Sequence, residues 1–393
     1  MTAGERIRAL AGRWLPLLGD GDGHGGGDGH GGDDHRDGGG DFVCSPAGLW
    51  LALAALASGA GGETARELRE VLGVAGPEAA EAVTALGRTD GVALATGVWS
   101  RVPPRPEFRD RLPDVGFGTL GGQAQREIDA WVRKATGDRV EGLPMTLDGG
   151  EDLVLAGALA LKAAWLSRFP RHLTRDEPFT DGHGDTAPVP TMHQRIPARW
   201  AWRTGGATVV ELPCEAEAEA APDAARGRVG PRVRFVLGEV GRGPAEVLPL
   251  AWAGPAARTP LRAEAVDLAL PRFTLRTRTD VYERLPALGI GRSVRPDADF
   301  SGLSPVPLYV SAAVQEALVE IAEEGVEAAA VTVVAMTRGA AAPRPRRVER
   351  IAFDRPFGFV VLDGTGEVPL FAGWRSRARS TGQLTTRASS SPS

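Results

Sequence analysis

Side chains able to do chemistry are few and scattered in this chain. Of its six histidines, His24, His30 and His35 lie in a stretch of glycine and aspartate spanning 19–40. The other three, His172, His183 and His193, stand apart from one another. Neither a nucleophile-elbow pattern nor a zinc-protease pattern accompanies them, so hydrolysis by this chain is unsupported. Imidazoles with nearby aspartates are the ligand types of a transition metal. A glycine-rich stretch, however, buries no apolar surface, and wrapping it around an ion costs conformational entropy. Stretch 19–40 is therefore expected to be a solvated insert, and neither a metal nor a cofactor is expected. Two cysteines, Cys44 and Cys214, are too few for a disulfide framework and read as unpaired structural thiols.

The informative stretch is 323–338. It opens with Glu323, Glu324 and Gly325, and continues through small and β-branched residues, without proline or further glycine, to Arg338. That is the composition of a buried strand. Residues 339–347 then carry Gly339, three alanines and prolines in alternation with arginines, the composition of an exposed loop. A strand-competent segment running into an exposed basic loop suggests chain able to occupy two places.

The rest of the chain must position that segment. A length of 393 residues with 42% hydrophobic content allows one large domain or two and excludes wholesale disorder. A net charge of −5, with no long basic block on an expected helix, gives no support for a nucleic-acid partner. Residues 1–18 are no secretory signal, because Glu5, Arg6, Arg8 and Arg13 interrupt them. Ile7, Leu10, Trp14 and Leu17 instead predict an amphipathic first helix. No apolar run is long enough to cross a bilayer as a helix, so no membrane partner is expected. Helices are predicted over 49–56, from Glu63 to near Gly73, and over 125–136. Strands are predicted over 92–99, 209–212, 233–237, 266–270, 273–275, 357–362 and 368–372, with 308–314 and 317–321 leading into the informative stretch. Periodicity does not decide 153–165. The tail from Ser376 is expected to be disordered.

Several short motifs follow one another along the chain. They begin with Phe42-Val43-Cys44-Ser45-Pro46 and Ser58-Gly59-Ala60-Gly61-Gly62-Glu63-Thr64. Then come Ile128-Asp129-Ala130-Trp131-Val132, Lys162-Ala163-Ala164-Trp165 and Val189-Pro190-Thr191-Met192-His193. Leu270-Pro271-Arg272-Phe273, Asp299-Phe300-Ser301-Gly302 and Phe353-Asp354-Arg355-Pro356-Phe357 follow, and Glu323-Glu324-Gly325 with its alanines is the most specific part. In this order the motifs resemble the serpin family, and the resemblance covers roughly 42–373. It implies an α+β serpin fold in a single domain over 1–375: three β-sheets, about nine helices and an exposed reactive-centre loop within 323–350. It also implies a monomeric inhibitor of a serine protease, trypsin-like or subtilisin-like, or of a cysteine protease. In the family the target's serine attacks a loop carbonyl. The cut loop then inserts into the central sheet and traps the acyl-enzyme.

The residues suit that mechanism. Side chains alternate between faces along a strand. Counting from Gly325, Val326, Ala328, Ala330, Thr332 and Val334 fall on one face, all uncharged and mostly small. Glu327, Ala329, Val331 and Val333 fall on the other, so the one charge is on the side that can stay wet. From Gly325 onward the chain is expected to wait outside the sheet until it is cut. Two registers compete for the scissile bond. The usual family spacing places Gly339 before the cut, giving Gly339–Ala340. A register one residue shorter gives Arg338–Gly339, and Arg338 suits a protease with a carboxylate in its specificity pocket. Met336 and Thr337 suit chymotrypsin-like or elastase-like enzymes.

Departures from the family pattern cluster where the sheet must open. Ser45 is kept and Trp165 ends the central strand. Gly48 replaces a second serine, Gly157 an asparagine and Gln315 a histidine. With two side chains missing, the sheet is expected to open more readily than in typical relatives. The alternative function is a non-inhibitory serpin, a binding or chaperone-like protein, though its hinge commonly carries proline, charge or bulk that is absent here.

Overall fold

The computed structural model describes residues 1–19, 40–87, 93–142, 145–160, 163–215, 229–326 and 347–378. Most of the insert 19–40, the tail beyond 378 and the loop 327–346 lie outside the described residues. So do the expected roles of Glu327, Ala328, Ala329, Ala330, Thr332, Arg338 and Gly339.

Two helices, α1 (Ala3–Trp14) and α2 (Pro16–Gly19), precede β1 (Phe42–Cys44). Next come α3 (Pro46–Ala57), α4 (Gly62–Leu72), α5 (Pro77–Gly87) and β2 (Ala93–Ser100). Then follow α6 (Pro106–Asp110), β3 (Val115–Thr119), α7 (Ala124–Thr136), β4 (Leu153–Ala160) and β5 (Ala163–Ala164). The middle of the chain is mostly strand: β6 (Arg175–Thr180), β7 (Thr186–Pro197), β8 (Ala201–Thr204), β9 (Ala207–Pro213) and β10 (Arg232–Leu237). After α8 (Pro244–Val247) come β11 (Thr259–Pro260), β12 (Ala265–Pro271), β13 (Phe273–Asp280), β14 (Val310–Ala322) and β15 (Gly325–Val326). The chain then adds β16 (Val348–Ala352), β17 (Phe357–Leu362) and β18 (Pro369–Arg375).

These strands form three sheets, as expected. One runs β1-β18-β17-β10-β9-β8-β11 and a second β16-β12-β7-β6. The third, which holds the informative stretch, runs β3-β2-β4-β14-β15-β5, with β13 on the far side of β14. At its centre β4 and β14 pair in parallel, with Gln315 opposite Gly157. Parallel strands need cover on both faces and read as continuously apolar, which is why periodicity left 153–165 undecided. Below lies α3, in which every residue is buried. Its Ser45 N-cap and Pro46 at the first helical position start it, and its polyalanine-leucine run has no polar side to expose. Each fully buried leucine there contributes roughly 2 kcal/mol. Above lies α7, whose Ile128 and Val132 pack with Val154, Ala156 and Val314. Two predicted strands, 308–314 and 317–321, are one strand, β14. Its Glu316 is fully buried yet ion-paired with Arg276 at 2.5 Å, so a charge in the run does not break it.

The structure corrects the expectation that the chain leaves the sheet at Gly325. Gly325 and Val326 are already paired on both sides, with Ala322 and Ile321 of β14 and with Ala164 and Ala163 of β5. No helix among the described residues is long and apolar enough to cross a membrane.

Candidate functional site

The hinge is built at the end of β14 by a segment that follows β5. Three successive carbonyls of the hinge accept hydrogen bonds from it. Trp165 Nε1 donates to the Ala322 oxygen at 2.8 Å, Phe169 N to Glu323 at 2.8 Å and Trp165 N to Glu324 at 2.9 Å. The Trp165 ring is buried against Phe235 with centroids 6.4 Å apart, so its N–H is a fixed donor. Side chains complete the hold. Thr174 Oγ1 donates to Glu323 Oε1 at 2.8 Å, Arg272 lies 3.7 Å from the other Glu323 oxygen, and Arg171 pairs with Glu324. Gly325 must be glycine, because a Cβ there would run into the Ala163 carbonyl. Val326 is fully buried.

A second cluster lies beneath the sheet's centre, where β4 and β14 would part. Ser45 caps α3 by accepting from Gly48 N at 3.0 Å, and its hydroxyl donates to the Leu370 oxygen at 2.5 Å. Gln315 reaches it from β14. Gly157 faces Gln315 from β4, and Thr96 of β2 faces Gly157. The Thr96 hydroxyl is buried without a hydrogen-bond partner. Gly48, Gly157, Leu155, Ala313 and Gln315 are among the residues around a cavity of ≈ 10 Å³, room for one water at most. Thus the structure brings Ser45, Gly48, Gly157 and Gln315 together. Trp165 belongs to the hinge instead, eight residues further along the chain than Gly157.

The far end of the loop rejoins a different sheet. There β16 runs parallel to β12 as an edge strand. Arg350 reaches Glu177 of β6 at 3.2 Å, and Glu349 is paired with Arg203 of β8 at 2.7 Å. Glu177 also receives Arg175 at 2.8 Å, with His193 Nε2 3.2 Å away but out of hydrogen-bonding geometry. Burial, helped by Arg175 and Arg350 and opposed by Glu177, pushes the His193 pKa down.

Sequence reasoning missed Arg171, Thr174 and Thr96. The first two act through a contact some 150 positions distant in sequence, which no local pattern signals; Thr96 is one threonine among many in strands. Neither thiol offers a nucleophile, since burial pushes both Cys44 and Cys214 up to about 12. What the site offers is a slot between two strands, already occupied at one end by the first residues of a loop.

The sequence pattern of the serpin (serine protease inhibitor) family matches residues 34–227 and 245–377. Serpin-Z2B of Oryza sativa subsp. japonica is 30% identical over 371 residues, covering 84% of this chain and 90% of that protein. Among solved structures, Serpin48 of the insect Tenebrio molitor superposes with a TM-score of 0.75 at 23% identity, covering 96% of this chain and 98% of that one. Human thyroxine-binding globulin complexed with thyroxine also gives a TM-score of 0.75, at 21% identity, covering 96% of this chain and 98% of that one. The motifs, the three sheets and these similarities agree: the chain belongs to the serpin family.

Proposed function

We propose that the chain inhibits a trypsin-like serine protease by suicide trapping, in which the cut loop enters the sheet between β4 and β14. One observation carries the reading: the register of Gly325 and Val326. Both residues are antiparallel to β14 on one side and to β5 on the other. Continuing that register, each step along the loop moves one residue back along both neighbours. Ala330 then falls opposite Ala317 and Leu159, and Thr332 opposite Gln315 and Gly157. Those pairs already face each other across β4 and β14. Insertion therefore needs the strands to part sideways, with no slip in register. The even-numbered loop residues enter on the face of Ile321, Val319 and Ala317, which belong to the main core. Small or apolar side chains are what that face accepts; a charge there would be buried without a partner.

The chemistry before trapping is the protease's own. Its serine attacks the loop carbonyl, and Arg338–Gly339 is the bond proposed, with Arg338 in a carboxylate-floored pocket. Incubation with trypsin tests the reading. Trapping yields a covalent complex that survives SDS. Cleavage of the loop with no complex would instead favour a non-inhibitory binding protein, the role of thyroxine-binding globulin.

A further inference from the structure

We infer that Arg171 is a positioning residue for trapping: it helps hold Gly325 and Val326 as a preformed nucleus of the inserted strand. The inference rests on the proposed inhibitory mechanism and concerns its rate-deciding step. Once the protease has cut the loop, two processes compete for the acyl-enzyme. Water releases the protease, or the loop inserts and traps it. Adding a strand is slow to begin, because chain must be ordered before ladder hydrogen bonds repay that ordering. Here the first two residues are paired on both sides before any cut. Insertion can start by extending a ladder that exists.

What keeps the nucleus in place is the turn before it. Backbone donors fix the Ala322, Glu323 and Glu324 carbonyls, and Thr174 and Arg272 hold the Glu323 carboxylate. Among the described residues, the side chain of Glu324, adjacent to Gly325, is partnered by Arg171 in the 3-10 turn Arg171–Leu173. The Arg171 side chain is 70% exposed and that of Glu324 22%. The pair is therefore adjustable from the surface, and changing it leaves the core intact. Neither the hinge motif nor the family similarity marks Arg171. It lies outside the loop, so it has no part in the protease's recognition of the scissile bond.

Loosening this turn returns the nucleation step to the race and lets more protease escape. The readout is the stoichiometry of inhibition, the moles of inhibitor consumed per mole of protease trapped, measured beside the association rate constant. Bovine trypsin is the probe, with wild type, Arg171→Glu, Glu324→Arg and the double exchange. An exposed ion pair changes an equilibrium by roughly two- to fivefold, and the stoichiometry should rise by about that factor in each single variant. It should return toward wild type in the double variant, with the association rate unchanged throughout. A complex in wild type with unchanged stoichiometry in Arg171→Glu overturns this inference alone. So does a double variant that fails to recover, which would mark the residues as merely structural. Absence of any complex in wild type overturns the inhibitory reading and this inference with it.

Discussion

Gln315 grips Ser45 with both ends of its side-chain amide. The Ser45 backbone N–H donates to Gln315 Oε1 at 2.8 Å, and Gln315 Nε2 donates to the Ser45 carbonyl at 3.0 Å. The pair joins the middle of β14 to the start of α3, at the line where the proposed insertion would part β4 from β14. Both residues are buried, so neither bond is exchanged with water. An amide also makes both bonds without a titrating group. The pair itself therefore carries no pH dependence.

Replacing Gln315 by leucine leaves the Ser45 N–H buried without a partner, whereas the Ser45 carbonyl still accepts from Leu49 N at 3.0 Å. One such orphaned group costs about 1–3 kcal/mol. Gln315→Leu is expected to lower the unfolding free energy by about 1–3 kcal/mol, read as a shifted urea midpoint. It should also speed loss of inhibitory activity on standing. A midpoint equal to wild type would remove the assigned role of this pair.

Ala330 enters the main core in the proposed register. Ala330→Arg is expected to convert inhibitor into substrate, because its charge would be buried without a partner on insertion. Electrophoresis in SDS reads the outcome: cleaved chain and free trypsin in place of the complex. Unchanged complex formation would contradict insertion in this register.

Arg338 is proposed to fill the protease pocket. Truncating one partner of a buried charge pair costs 2–5 kcal/mol or more, so Arg338→Ala should slow association with trypsin by at least about 30-fold. Mass spectrometry of the fragment released from the wild-type complex should begin at Gly339. A fragment beginning at Ala340 would move the bond by one residue.

Acid should weaken the fold near β16 through His193. Its pKa is pushed below the ordinary 6.5, mainly by burial, so just below that value the unfolded chain binds more protons than the folded one. The stability this group allows is complete above pH 6.5 and is lost as pH falls through the lower folded value. Urea midpoints at pH 7.5 and 5.5 should therefore differ more in wild type than in His193→Gln. An equal difference in both would assign the acid sensitivity to other groups.

Much of this architecture is legible in the sequence, for identifiable reasons. The α1 stripe of Ile7, Leu10 and Trp14 is buried as its spacing predicts, and the apolar run of α3 is buried on all sides. Gly48, Gly157 and Gln315, marked by departure from a motif, lie together beneath the sheet with the retained Ser45. Less legible were β4, apolar on both faces because helices cover both, and β14, whose Glu316 is neutralised by arginines on the next strand. The docking of Gly325 and Val326 left no trace in the sequence. Two residues carry no periodicity, and what holds them comes from Trp165, Phe169, Arg171 and Thr174, distant in sequence.

The central claim is that the chain beyond Val326 becomes a strand between β4 and β14 once it is cut. The direct measurement is the melting temperature before and after a single cut in the loop 327–346 by a catalytic amount of protease. Insertion adds a full-length central strand, so the account predicts a large rise in the nicked protein. A melting temperature that stays the same, or falls, would contradict it.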